Sequence, residues 1–196
     1  MATATLNRKL NVVFSVETDK GKVYVHSTPV SRQIFEDNFL VMSRTLTATY
    51  KHELGPAMGP AVAALLLKQE AKAVGGEVEL ARVTQSFIGE VRRLTNVIYA
   101  TEGKGWESLP FSVAVQRGVL DDDSAAEVEN SIVYFMCASA LHRKAELSVV
   151  LDGLKAVWSA ETTSFNATEY MRSLPTLTPV ANTGEKPTAT PSSTAA

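Results

Sequence analysis

A break in composition at Leu174 sets what this chain can fold into. The body before it carries helical and strand periodicities, whereas Pro175–Ala196 cannot build a core. That last stretch holds four of the eight prolines and six threonines, no aromatic residue, and one isolated charge pair, Glu185 and Lys186. Such a composition buries too little apolar surface to offset the entropy of ordering it, so a disordered Pro/Thr/Ser-rich tail is expected at 175–196. Residues 1–174 are enough for one domain with a sizeable core.

A net charge of −2 and a pI near 6 give no broad attraction to nucleic acid or to an anionic membrane, since such binding needs clustered cations to displace counterions. No cationic N-terminal stretch leads into an apolar core of signal-peptide length, and no window approaches the roughly 20 apolar residues that span a bilayer. A soluble intracellular protein is expected. Cys137 is the single cysteine, so no intrachain disulfide can form, and its apolar neighbours suggest a small packed side chain. Asn166-Ala167-Thr168 spells a glycosylation acceptor, but Asn166 reads as a helix cap.

Two runs rich in β-branched and aromatic residues, Leu10–Val16 and Lys22–His26, flank the turn-forming Glu17-Thr18-Asp19-Lys20-Gly21. They predict a β-hairpin with Leu10, Val12, Phe14 and Val16 on one apolar face, matched by Val23 and Val25. A two-stranded ribbon is marginal alone, so it must pack on helices or gain strands from another copy. Thr28 and Pro29 then suit the N-cap and first position of a helix reaching about Tyr50, with Ile34, Phe35, Phe39, Met42, Leu46 and Tyr50 as its buried stripe. Gly55-Pro56-Ala57-Met58-Gly59-Pro60 is expected to break the chain twice before an apolar helix over Ala61–Ala73, and it lacks the ending of a phosphate loop.

Gly75-Gly76 should stop that helix. The next is expected over about Glu79–Tyr99, with Leu80, Val83, Phe87, Val91, Leu94 and Ile98 on its stripe and Arg82, Arg92 and Arg93 off it. Trp106, Leu109 and Phe111 around Pro110 read as a plug closing the core. A short helix should reach Arg117 and end at Gly118, and Asp121-Asp122-Asp123 reads as capping a central buried helix that continues at least to His142. Glu146–Trp158 is amphipathic, and Asn166 with Glu169 reads as a capping box for a last helix ending near Leu174. The expected class is α+β and predominantly helical: an N-terminal hairpin, a compact multi-helix domain, and the tail.

Reactive chemistry has little to stand on. His26, His52 and His142 show no i,i+4 pairing, His52-Glu53 lacks the second histidine of a zinc-protease helix, and Cys137 has no second thiol. No enzyme activity, cofactor or metal is expected, and the protein should work by contact. Partner contact is expected at Val12 and Phe14 on the hairpin, Phe35 and Phe39 on the first helix, and Phe87, Arg92 and Arg93 on the Glu79–Tyr99 helix.

The linear order of these pieces carries a resemblance. The hairpin is followed by His26-Ser27-Thr28-Pro29-Val30-Ser31, Ile34-Phe35-Glu36-Asp37-Asn38-Phe39 and Gly59-Pro60-Ala61-Val62-Ala63-Ala64-Leu65. Glu90-Val91-Arg92-Arg93-Leu94-Thr95-Asn96-Val97 and Gly105-Trp106-Glu107-Ser108-Leu109-Pro110 come next. Over residues 10–145 this order resembles the tail assembly chaperones of long-tailed, siphovirus-like bacteriophages. The resemblance implies a non-enzymatic helper in the host cytoplasm, absent from the mature virion. It would bind the tape-measure protein and assist polymerisation of the tail-tube protein, and a homo-oligomer is compatible with it. In many such phages a ribosomal frameshift replaces the chaperone's C-terminal end with a second domain, an arrangement that the tail at 175–196 suits. A structural minor tail component, or a host helical adaptor domain, would share the helices and the lack of reactive groups.

Overall fold

The computed structural model describes residues 11–101, 105–141 and 160–175. Leu10, Gly103, Lys104, His142, the stretch Glu146–Trp158 and the residues beyond Pro175 lie outside those residues. The expected hairpin forms from β1 (Asn11–Thr18) and β2 (Gly21–Ser27), with Thr18 opposite Gly21, Phe14 opposite Val25 and Val12 opposite Ser27. Gly21 takes φ +96°, a value that disfavours side-chain-bearing residues, and Thr18 Oγ1 donates to its carbonyl at 2.9 Å.

The hairpin is the middle of a larger sheet. Strands β3 (Thr95–Thr101), β4 (Gly105–Pro110) and β5 (Glu161–Thr163) join it in the order β4-β3-β2-β1-β5, every pairing antiparallel. Val23 faces Tyr99 across β2 and β3, and Asn11 faces Thr163 across β1 and β5. The ribbon therefore gains its extra strands from its own chain. The helix expected to reach Tyr99 stops at Arg93, and Trp106 and Leu109, read as a core plug, belong to β4. Thr95, Val97, Ile98, Tyr99 and Thr101 are β-branched or aromatic, and a pleated surface takes such side chains at least as well as a helix does.

Helix α1 (Arg32–Lys51) starts three residues later than expected. Ser31, not Thr28, is its N-cap, accepting from the Ile34 amide at 3.3 Å, because the Thr28 amide is still tied to the Leu94 carbonyl at the end of the sheet. Helix α2 (Gly55–Val83) begins at the first Gly-Pro, where Pro56 occupies the opening turn and needs no donor, and it continues through Pro60 where a second break was expected. At Gly75 (φ −147°, ψ 24°) and Gly76 (φ 64°, ψ −152°) the backbone leaves helical geometry, as the glycine pair foretold. The chain doubles back there: Lys68 before the break and Arg92 after it grip the same carboxylate, Glu129, although an unbroken helix would hold them about 36 Å apart. A π-helical turn (Thr84–Ile88) and α3 (Gly89–Arg93) complete the returning limb.

Phe111 opens α4 (Phe111–Gln116), Gly118 at φ +60° ends that turn, and the Asp121 carboxylate accepts from the Ser124 amide at 2.7 Å to cap α5 (Asp122–Leu141). Helix α5 is the expected central helix, buried without interruption from Ser131 to Ala138. Helix α6 (Ala167–Ser173) starts with the expected capping box: Asn166 Oδ1 accepts from the Glu169 amide and Glu169 Oε2 from the Asn166 amide, both at 2.9 Å. Asn166→Ala should cost about 0.5–2 kcal/mol, read as a lower midpoint in thermal melts followed by circular dichroism.

The sheet is apolar on both faces. Val12, Phe14, Val16, Val23, Val25 and Val97 point inward and merge with the core side chains of α1, α2 and α5. Val13 and Ile98 point outward and meet Tyr170, Met171 and Leu174, with Tyr24 and Trp106 alongside. The architecture is thus mixed, with helices on the inner face of a five-stranded antiparallel sheet and one short helix against the outer face.

Candidate partner-binding surface

Three of the residues expected to meet a partner are core. Val12 and Phe14 lie beneath the helices, and Phe87 in the π-helical turn is 0% exposed. The two arginines are at the surface but engaged. Arg92 Nε donates to Glu129 at 2.7 Å while Lys68 Nζ holds the other oxygen at 3.2 Å, so one carboxylate, only 7% exposed, ties both limbs of the reversal to α5. Arg93 makes a two-pronged contact with Glu90, at 2.6 and 2.8 Å, and that pairing draws the Glu90 carboxyl below its ordinary range.

Phe35 and Phe39 remain. Phe39 is 50% exposed and Leu40 beside it 54%, while half-buried Phe35 meets Phe39 edge-on, ring centres 5.7 Å apart at 83°. The stripe drawn through Phe35, Phe39, Met42, Leu46 and Tyr50 placed this edge in the core. The buried arc is instead Asn38, Val41, Met42, Thr45, Leu46, Ala48 and Thr49, and Tyr50 is half-exposed. The polar members of that arc are quiet because they bond to their own helix. Asn38 Nδ2 donates to the Ile34 carbonyl at 2.7 Å, Thr45 Oγ1 to Val41 at 2.8 Å, and Thr49 Oγ1 to Leu46 at 2.7 Å. Asn38 Oδ1 also accepts from Ser86 at 3.3 Å, which joins α1 to the π-helical turn and fixes how the Phe35–Phe39 edge is presented.

Reactive groups are muted. Burial pushes the Cys137 thiol up to about 12, far from the thiolate that a nucleophile needs, and raises the Tyr134 phenol well above its usual range. No cluster of three or more His, Cys, Asp or Glu side chains with metal-holding geometry occurs among the described residues. Asp121 is occupied as a helix cap, and its bond to the Ser124 amide lowers its carboxyl.

The outer sheet face carries a second group of aromatic residues that sequence reading passed over. Tyr24 packs edge-on against Trp106, with centres 5.5 Å apart, and against Tyr170 at 6.1 Å, with Lys22 Nζ 5.4 Å from its ring centre. Alternation along β2 puts Tyr24 opposite in direction to Val23 and Val25, and that was the available signal. A hollow of about 180 Å³ lies beside it, bounded by Val13, Ser15, Lys22, Tyr24, Glu161 and Tyr170. No helix among the described residues is long and apolar enough to cross a membrane. No protein-family model, curated protein or solved structure matches this chain.

Proposed function

We propose that this chain is a phage tail assembly chaperone: it acts by contact, without a catalytic step or cofactor, in the host cytoplasm, and holds the tape-measure protein soluble while tail-tube subunits assemble. One observation carries the reading, the exposed apolar edge of α1 formed by Phe35, Phe39 and Leu40. An amphipathic helix is held by anchors repeating at three- and four-residue spacing, and a tape-measure protein presents such faces in long succession. The edge is rigidly backed, since α1 is pinned to the returning limb by the Asn38–Ser86 bond and to α2 by the Arg44–Glu70 pair at 2.6 Å. The Glu79–Tyr99 helix, the other expected wall of the groove, contributes less, because it ends at Arg93 and buries Phe87 and Val91.

Co-expression with the tape-measure protein of the same genome tests this. The partner should become soluble and co-purify, and purified virions should lack this chain. The double substitution Phe39→Asp with Leu40→Asp should abolish co-purification while the protein stays folded, at a cost of about 1–2 kcal/mol per site, because each side chain is half-buried and aspartate is a poorer helix former. Abundant chain in virions, with no effect on tape-measure solubility, would assign it to the tail structure instead.

A further inference from the structure

We propose that His26 makes the segment from Glu161 to Pro175 an acid-sensitive clasp over the outer sheet face: a second proton, taken at Nδ1, lifts the clasp and bares Tyr24, Ile98 and Trp106. His26 stands at the centre of the contacts that hold this segment, between the β5 ladder and the packing of α6. The Phe165 carbonyl, in the link between β5 and α6, accepts from His26 Nε2 at 2.9 Å and from Asn11 Nδ2 at 2.7 Å. From that point α6 lays Tyr170, Met171 and Leu174 on the sheet, and the Pro175 carbonyl accepts from Trp106 Nε1 at 2.8 Å. His26 itself is 1% exposed in the middle of the sheet, and its Nδ1 has no hydrogen-bond partner among the described residues.

A neutral imidazole fits this site as a donor at Nε2 with an idle acceptor at Nδ1. Protonation adds a charge to a dry site, and the backbone groups of Phe165 and of His26 itself offset only part of that burial cost. The side chains around it do not supply the rest. On the neighbouring strands Val13 and Asn96 stand opposite His26, and neither carries charge. From α6 the Tyr170 ring lies with its centre 6.3 Å away, and its hydroxyl already donates to Glu161 of β5 at 2.7 Å. Elsewhere on these elements Lys22 stands by Tyr24, Glu169 is held by the Asn166 amide, and Arg172 is exposed. Burial accordingly holds His26 below its ordinary 6.5. The folded value is lower than the unfolded one, so the clasp's stability is full above pH 6.5 and is lost as pH falls through the window between the two. Strands β2 and β3 are paired on both sides, whereas β5 is a three-residue edge strand, so β5 and α6 are the cover that can give way.

The full chain carrying Trp158→Phe leaves Trp106 as its one tryptophan. Between about pH 7.5 and about pH 5.5, Trp106 emission should shift to the red while far-UV circular dichroism holds, and His26→Gln in the same background should abolish the shift. In the unsubstituted chain, hydrogen exchange corrected for intrinsic rates should be faster over residues 161–173 at the lower pH, by up to about tenfold, with α5 unchanged. An equal shift in the glutamine variant, loss of helicity along with the shift, or unchanged exchange over 161–173 overturns the proposal. The exchange measurement decides even if the glutamine variant fails to fold.

Discussion

Phe87→Ala is expected to remove about 3–5 kcal/mol of folding stability, a large share of the roughly 5–15 kcal/mol that holds a domain folded, because it empties a fully buried site where the returning limb meets the core. The effect separates two roles that the apolar stripe on this segment leaves open. A partner-binding phenylalanine can be truncated with little change in thermal midpoint and a large loss of partner. A core phenylalanine behaves the opposite way. Denaturant titration of Phe87→Ala beside Phe39→Ala reads the contrast directly, and a near-silent Phe87 would contradict its position in the π-helical turn.

Gly59→Ala is expected to cost about 1–3 kcal/mol although it adds one methyl group. A Cβ at Gly59 would stand 3.2 Å from Tyr134 Cδ2 and 2.7 Å from Cε2, the latter a distance no relaxed contact tolerates. Tyr134 is 1% exposed within α5, so its ring has little room to withdraw. The glycine before Pro60 is therefore the place where α2 lies close against α5. Tyr134→Phe should leave the clash in place, whereas a smaller side chain at 134 should relieve it, and melting the double variants checks the coupling.

What could be read from the sequence follows from how local each signal is. The turn at Asp19–Gly21, the cap at Asp121, the capping box at Asn166–Glu169 and the reversal at Gly75-Gly76 are each decided by residues a few positions apart, and each stands where its chemistry put it. Strand β5 could not be read, since Glu161-Thr162-Thr163 is three polar-leaning residues whose extended form comes from pairing with Asn11–Val13 at the far end of the chain. Thr95–Thr101 fell between two periods, with Leu94 and Ile98 continuing a helical stripe that Val97 and Tyr99 contradict. At the candidate surface, apolar spacing put Phe39 on the buried stripe of α1, whereas Asn38, Thr45 and Thr49 lie in the buried arc. Bonds from their side chains back to the α1 backbone invert that assignment, and spacing alone does not reveal them.

The pairing of Asn11 with Thr163 also sets a clock on biosynthesis. A ribosome adding about 5–20 residues per second needs roughly 8–30 s to travel from the first strand to its last neighbour. Throughout that interval β1 has β2 on one side and no β5 on the other, and the outer face waits for Tyr170. The nascent chain must therefore carry an open strand edge and a bare aromatic surface until residues 161–170 are made, which makes this protein most prone to aggregate before that point.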